Sequence, residues 1–399
     1  MILSTVSCEP HTPPQIEVLA SMGVDYVCVR PRNSSKFYFK RWSEPIAALR
    51  DAGIKVLLTW PFLAGFQLST PIRTDDPRYC FHAHDGSTNT SQQIGQTLDG
   101  TLQQLSHWND TVEEALIADL DQWFEYGPVI DGIHIGIGTS DFPYPTNWYT
   151  KGNEHRKGTN MYWSFDPAAQ AKWAEFSHRA PMPTHPDPNG GPGMDRFYRW
   201  YQDGWITRLI TLTDAVLEAG LKHVSTWWMP HTQFTRANMA NGTAGSIEPL
   251  HRWYQHVVDA GASPLVMVAH LFGTDDLQPG WYTDGVESIT RACAPPYEWD
   301  LIVGAEADSA AAADNIRHHG KIVAEMGASG LLCSDEHWLG KEQGTEVAQA
   351  IDAVRPLFGQ RLPVAASFTA NGAGNLCSHR RQHPIKGSQE LSESRRVGL

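Results

Sequence analysis

Asp51-Ala52-Gly53-Ile54-Lys55-Val56-Leu57-Leu58 joins the end of a segment with helical periodicity to a short apolar run through a glycine. The same pattern occurs at positions 21–29 and 218–226. Glycine accepts the left-handed conformation that ends many helices, and a continuous apolar run is typical of a strand covered on both faces. The pattern predicts repeated helix-to-strand units. A glycine also follows a predicted helix at Gly127, Gly261 and Gly327.

Counting outward from this unit gives eight strands and eight helices. The strands are predicted near 2–8, 24–30, 54–60, 131–138, 222–229, 264–270, 300–306 and 329–335. The helices are predicted near 13–22, 43–52, 111–126, 196–219, 247–260, 284–293, 309–326 and 343–357. Eight alternating pairs close an α/β fold into a (β/α)8 TIM barrel. The alternative is a doubly wound open sheet, but Ser7-Cys8-Glu9-Pro10-His11 is not the glycine-rich phosphate turn expected after its first strand.

The predicted domain organisation is one elaborated barrel over residues 1–375 followed by a flexible polar tail over 376–399. The chain has 399 residues, and about 250 residues is typical of a barrel, so long insertions are expected. The two largest fall after strand 3, about 61–110, and after strand 4, about 142–195. Insertions after strands lie on the face of a barrel where substrates bind. The aromatic residues of the second insertion suggest a roofed pocket.

Composition favours a neutral substrate. The formal charge is -13 and there is no basic run, which argues against nucleic acid or an anionic membrane as a partner. Fifteen Trp and twelve Tyr suit the apolar faces and hydroxyls of a carbohydrate, although burial in the core is the alternative for any one of them. Six cysteines without metal-ligand spacing are interpreted as reduced, buried thiols. Without a secretory leader or an apolar run long enough to span a bilayer, a cytoplasmic protein without cofactor or metal is expected.

Two acidic residues follow predicted strands 4 and 7. Glu306 ends the apolar run Leu301-Ile302-Val303-Gly304-Ala305, so we expect it to face the mouth of the barrel. Asp141 follows the strand-4 stretch Gly132–Gly138 and precedes Phe142-Pro143-Tyr144-Pro145. Because barrel enzymes draw their catalytic groups from the carboxyl ends of strands, these two acids are the candidate catalytic pair.

The strand-4 segment resembles the turn of the β-amylases in which a Gly-x-Gly stretch leads to an acid and then to Tyr-Pro. The acids after strands 4 and 7 are also similar in layout to those of the clan A glycoside hydrolases, which include barrel β-galactosidases. The resemblance implies a TIM barrel that hydrolyses glycosidic bonds. This chain departs from the clan A pattern because Ser140-Asp141 stands where Asn-Glu is usual, which gives a shorter acid.

The hypothesis is that Asp141 acts as general acid/base and Glu306 as nucleophile, or as base if the enzyme inverts. Other residues near strand ends are candidates for substrate binding. Arg30, His270 and His337 could hold hydroxyls, while Trp60, Trp228 and Trp338 could form a sugar platform. Tyr144 is a candidate for packing or substrate contact, and Glu336 is the reserve acid.

Two other functions stay open. A metal-dependent hydrolase of the amidohydrolase type would use His231, His270 and Asp335, with His134 as a further candidate, although strand 1 lacks the His-x-His pair of such barrels. His134 lies before the strand end and fits a hydrogen-bonded core histidine better. A non-catalytic sugar-binding barrel would keep the tryptophans and lose the acid pair, whereas this sequence has both acids.

Overall fold

The computed structural model describes most of the barrel strands and helices and parts of their connections. The described residues are 1–7, 10–29, 36–60, 76–82, 86, 105–106, 108–135, 165–183, 192–228, 247–268, 300–304, 312–325, 328–334 and 343–358. The chain divides into two compact units, Met1–Gln360 and Arg361–Leu399, and all described residues belong to the first. The predicted boundary at 375 lies outside the described residues.

Eight parallel strands form a closed barrel in which each strand pairs with the next and β8 pairs with β1. The strands are β1 Ile2–Ser7, β2 Tyr26–Val29, β3 Lys55–Trp60, β4 Gly132–Ile135, β5 His223–Trp228, β6 Ser263–Val268, β7 Asp300–Gly304 and β8 Gly330–Ser334. The predicted (β/α)8 barrel is therefore confirmed. Parallel strands need long crossover connections, which here carry the helices to the outside.

The described helices are α1 Pro13–Ser21, α2 Lys36–Asp51, α3 Asp110–Tyr126, α4 Pro167–Phe176, α5 Pro192–Glu218, α6 Ile247–Asp259, α7 Ala312–Glu325 and α8 Gln343–Val354. Short 3-10 turns cover Pro77–Tyr79 and Arg355–Leu357. Helix α2 begins seven residues before the predicted position 43, and α4 is an additional helix inside the second insertion. The helix predicted over 284–293 lies outside the described residues.

Glycines end helices in the left-handed conformation at four of the predicted positions. Gly23, Gly53, Gly220 and Gly261 follow helices and have positive φ angles of 67°, 82°, 84° and 72°. Gly127 is different, because its backbone is extended with φ of -84°. A Cβ at that position would lie 2.7 Å from the Trp123 carbonyl oxygen and would also meet its ring, so Gly127 is required by close packing. Gly327 lies outside the described residues.

Two aspartates stabilise the amino-terminal end of the barrel by the same device. Asp25 precedes β2, accepts a hydrogen bond from the Leu3 N–H at 2.9 Å, and donates its own N–H to the Leu3 carbonyl at 2.8 Å. Asp131 precedes β4 and makes the equivalent pair with Val56, both at 2.9 Å. Each carboxylate thus pairs a backbone N–H at the start of the neighbouring strand, and Arg50 adds an ion pair to Asp131.

The barrel wall has a side that faces the helices and a side that faces the lumen. Val56, Leu58 and Trp60 of β3 belong to the large hydrophobic core, whereas Leu57 belongs to a separate small cluster. That cluster consists of Cys28, Leu57, Leu265, Met267 and Leu332. Cys28 Sγ lies 3.9 Å from Met267 Sδ, and β2 and β6 are opposite in the ring, so these atoms meet through the lumen. The small cluster therefore fills the lumen.

Candidate active site

The carboxyl ends of the eight strands share one rim of the barrel, since all strands are parallel. β4 ends at Ile135 and β7 at Gly304. Asp141 follows the first of these ends by six positions and Glu306 follows the second by two. Both acids lie outside the described residues, and so do most of the other candidates: Arg30, Tyr144, His270, Glu336, His337 and Trp338. Their roles stay predictions.

Trp60 is the one residue of the predicted glycosidase site whose side chain is described. It is the last residue of β3, it is fully buried, and it packs in the large core with Val56 and Leu58. This placement differs from the exposed sugar platform expected of it. Strand side chains alternate between two faces, and Trp60 falls on the face that meets the helices.

Trp228 is the last residue of β5, where only its backbone is described, and it pairs in register with Val268. The role of Trp228 in a sugar platform stays a prediction.

A row of polar side chains crosses the lumen side of three neighbouring strands. Thr59 of β3 pairs in register with His134 of β4, which pairs with Ser225 of β5. Their exposed fractions are 2%, 1% and 0%. His134 Nδ1 lies 2.7 Å from Ser225 Oγ, so the histidine is hydrogen-bonded within the barrel, as its position before the strand end indicated. Sequence reasoning missed Thr59 and Ser225, although both are hydroxyl residues inside otherwise apolar strand runs.

An aromatic cluster joins α4, α5 and Trp108. Trp108, just before α3, stacks on Trp200 of α5 with ring centroids 4.3 Å apart and planes 8° apart. Trp173 of α4 and Phe197 of α5 meet in an edge-on contact at 5.7 Å. All four rings are buried. Trp173 of the second insertion is thus part of a packed core, whereas Phe176 on the same helix is exposed. The roofed pocket stays a prediction.

Gly204 makes the stacked contact of Trp108 possible. It lies in the middle of α5, one turn after Trp200, and a Cβ at this position would lie 1.7 Å from the ring of Trp108. Glycine costs helix stability, by about 1 kcal/mol relative to alanine. Its presence in a helix interior is explained by the close approach of this ring.

Asp166 is a fully buried acid in the same insertion. Its side chain caps α4 by accepting a hydrogen bond from the Ala169 N–H at 3.1 Å. Burial raises the pKa of Asp166, while the hydrogen bonds from Ala169 and Ser106 and the charge of His82 oppose that shift. Its uncharged form is therefore favoured more than in an exposed aspartate.

An ion pair joins two of the helices that surround the barrel. Arg208 of α5 is buried and pairs with Glu113 of α3. Burial lowers the pKa of Arg208 to about 10, and the charge of Asp110 opposes that shift. A buried guanidinium needs a charged partner, so this pair fixes α5 beside α3.

His223 begins β5 at the amino-terminal end of the barrel. The ring of His223 meets the ring of Tyr26 edge-on, with the centroids 5.8 Å apart. The Lys55 Nζ lies over the same Tyr26 ring, 5.1 Å from its centroid. Burial lowers the pKa of His223, the charge of Lys55 lowers it further, and Asp131 opposes both. In TIM barrels this end serves stability, whereas catalysis takes place at the opposite rim.

The described residues offer neither a metal site nor a membrane-spanning helix. In this part of the chain, no group of three or more His, Cys, Asp or Glu side chains is placed to hold a metal ion. Among the same residues, no helix is both long enough and apolar enough to cross a bilayer. His134 is described, whereas His231, His270 and Asp335 of the amidohydrolase alternative lie outside the described residues.

Comparison with known proteins gives structural similarity only. No family model and no curated protein matches the chain. D-psicose 3-epimerase from Clostridium cellulolyticum H10, solved with D-tagatose, is 10% identical with a TM-score of 0.38, covering 90% of this chain and 99% of that one. An O-GlcNAc hydrolase mutant from Thermobaculum terrenum is 9% identical with a TM-score of 0.41, and the match covers 88% of this chain and 58% of that one. The 3-dehydroquinate dehydratase of Aquifex aeolicus VF5 is 13% identical with a TM-score of 0.35, and the match covers 88% of this chain and 98% of that one.

Proposed function

We propose that this protein is a glycoside hydrolase that acts on a carbohydrate at the carboxyl rim of its barrel. In this proposal Asp141 protonates the leaving oxygen and Glu306 attacks the anomeric carbon, or activates water if the enzyme inverts. Cleavage of an acetal needs one acid and one carboxylate on either side of the bond, which is why two carboxyl groups are required.

The observation that carries this proposal is the closed ring of strands. β4 and β7, which lead toward Asp141 and Glu306, are separated by β5 and β6 in a barrel of eight. They therefore stand across the lumen from one another, and their carboxyl ends open on the same rim. A sugar bound at the centre of that rim would lie between groups supplied by these two strands.

Polar side chains in the lumen also support a site at the carboxyl end of the barrel. Barrel interiors are usually filled by bulky branched apolar side chains. Here the carboxyl-terminal half of β3 and β4 carries Thr59 and His134 instead, and β5 carries Ser225. Hydroxyl and imidazole groups suit the hydroxyl-rich surface of a carbohydrate.

The remaining candidates have auxiliary roles in this proposal. Arg30, His270 and His337 hydrogen-bond sugar hydroxyls, and Trp228 and Trp338 offer aromatic faces. Tyr144 contacts substrate, and Glu336 is the acid to test after the primary pair. Trp60 is not included, because its ring is fully buried on the helix side.

The test is hydrolysis of a broad panel of aryl glycosides and oligosaccharides by wild type, Asp141→Asn and Glu306→Gln. We expect activity on at least one glycoside, and a loss of turnover of at least about 100-fold in each variant, since each removes a group needed for proton transfer or attack. Glu325→Gln is a matched control, because Glu325 is an exposed acid on α7. Its turnover should equal that of wild type.

The outcomes separate this function from its alternatives. Near-normal turnover in Glu306→Gln would remove that residue from the mechanism. Stoichiometric zinc in the purified protein, with hydrolysis of amides rather than glycosides, would favour a metal-dependent hydrolase. Sugar binding without turnover by wild type would favour a non-catalytic barrel.

A further inference from the structure

The hydroxyl of Thr59 is a buried polar group inside the lumen. Thr59 is 2% exposed, and its Oγ has no hydrogen-bond partner among the described residues. It follows Leu57 by two positions, and Leu57 belongs to the lumen cluster, so strand alternation directs both to the lumen. A buried hydroxyl without a partner costs about 1–3 kcal/mol, which makes the position chemically notable.

The neighbour of Thr59 in the row is a hydrogen-bonding side chain held in place. His134 pairs in register with Thr59, and adjacent strands lie about 4.8 Å apart, so the two side chains stand side by side. The hydrogen bond between His134 Nδ1 and Ser225 Oγ fixes the imidazole from the far side. Thr59 and His134 are therefore two adjacent polar side chains, and the orientation of the imidazole is fixed.

Both residues stand next to the end of their strands. Thr59 is the last residue but one of β3, and His134 is the last but one of β4. The row therefore lies at the level of the lumen closest to the carboxyl rim on these two strands.

We propose that Thr59, with His134 beside it, binds one hydroxyl oxygen in the lumen. That oxygen belongs to an ordered water or to a hydroxyl of a bound sugar, and the chemistry of recognition is the same for both. The sugar arm rests on the function proposed above, whereas the water arm does not. In either case the Thr59 hydroxyl gains a hydrogen bond from its ligand.

A matched pair of substitutions separates this role from simple packing. Thr59→Val and Thr5→Val each replace a buried threonine by an isosteric apolar residue, and Thr5 Oγ also has no partner among the described residues. Thr5 pairs in register with Val27 and Cys333, both in the large core, so it lies on the helix side. Both proteins should fold, because the change keeps the side-chain volume.

The decisive readout is a crystal structure at a resolution that shows single waters, with and without D-glucose or D-galactose. We expect an oxygen within about 3 Å of the residue-59 hydroxyl in wild type and in Thr5→Val, and its loss in Thr59→Val. Thr59→Ser, which keeps a hydroxyl at this position, should keep the oxygen. Density for water in both crystals, or for a sugar hydroxyl in the soaked one, supports the site. The absence of any oxygen in wild type, or its retention in Thr59→Val, overturns it.

Kinetics add a second readout once a substrate is known. Thr59→Val should raise KM about three- to tenfold if the oxygen is a sugar hydroxyl, since one neutral hydrogen bond is lost, whereas Thr5→Val should leave KM unchanged. If Asp141→Asn and Glu306→Gln retain activity while the oxygen at Thr59 is present, the proposed mechanism fails and this site stands. If the two acids are essential and the oxygen is absent, the reverse holds.

Discussion

The two sides of the barrel wall are built from the same strands, yet they differ in chemistry. On the helix side, most buried residues are large and apolar, such as Val56, Leu58 and Trp60 of β3, although Thr5 is a polar exception. On the lumen side, the small cluster around Leu57 and Met267 stands among polar residues, which include Ser4, Thr59, His134 and Ser225. The helix side resembles an ordinary protein core, whereas the described lumen mixes apolar and polar side chains.

This difference separates stability from function. Apolar burial between the sheet and the helices supplies most of the driving force for folding. Polar groups in the lumen weaken that driving force, and in the function proposed above they serve to bind a ligand. Substitutions on the helix side should therefore change unfolding, while those in the lumen should change binding.

The largest expected effect is that of Trp60→Ala. The ring is fully buried on the helix side, and removing a buried tryptophan costs about 3–5 kcal/mol of unfolding free energy. Denaturant unfolding measures this loss directly. Trp60→Phe, which retains an aromatic ring, should lose much less. A loss below about 1 kcal/mol for the alanine variant would show that Trp60 is not a core residue and would restore it as a candidate platform.

A smaller loss is expected from Gly204→Ala. The added Cβ overlaps the ring of Trp108, so we expect a loss of about 1–3 kcal/mol even though alanine favours a helix. Thermal or denaturant unfolding provides the measurement. The double variant with Trp108→Leu serves as control, since removal of the large ring should make the alanine substitution favourable. Equal stability of Gly204→Ala and wild type would contradict the stacked packing.

Asp166 tests a buried polar group outside the lumen. Its raised pKa means that the folded protein holds the proton more readily than the unfolded chain, so the contribution of Asp166 to stability is greatest below pH 3.8 and decreases as pH rises through the folded-state pKa. Asp166→Asn keeps the helix cap without the charge, and at neutral pH it should match or exceed wild-type stability. Asp166→Ala loses the cap and should cost about 1 kcal/mol. Denaturant unfolding at several pH values measures both; an asparagine variant as unstable as alanine would show that the charge is required.

The smallest expected effect is the pH dependence due to His223. Its lowered pKa means that the folded protein releases the proton more readily than the unfolded chain, whose histidine titrates near 6.5. Stability from this residue is therefore complete above pH 6.5 and decreases as pH falls through that value toward the folded-state pKa. His223→Gln should unfold with a flatter pH profile between about pH 7 and 5. Superimposable profiles would contradict the shift.

The architecture could be predicted from the sequence because its signals are local. Glycines at helix ends and continuous apolar runs mark each unit, and all eight strands were placed within two or three residues of their observed bounds. Helix α4 was not predicted because it is only ten residues long and its buried Trp173 packs against Phe197 and Trp200 of α5. Gly127 shows the same limit, because its requirement comes from packing against Trp123 rather than from a left-handed turn.

The candidate site was harder to predict, because it depends on which side of a strand each residue occupies. Trp60 was expected at the mouth, but a shift of one residue along a strand exchanges the lumen for the helix side. Thr59 and Ser225 were missed, since their importance arises from a register that joins three strands distant in sequence. Only the pairing of the strands brings them into one row with His134.

The separation of the Asp141 and Glu306 carboxyl groups in a crystal structure tests the proposed chemistry most directly. A distance of about 5 Å, with both groups open to the central cavity, is the result expected for a retaining enzyme, and about 6.5–9.5 Å is expected for an inverting one. Carboxyl groups on different surfaces of the barrel, or either one enclosed by packing, would contradict the proposed hydrolysis.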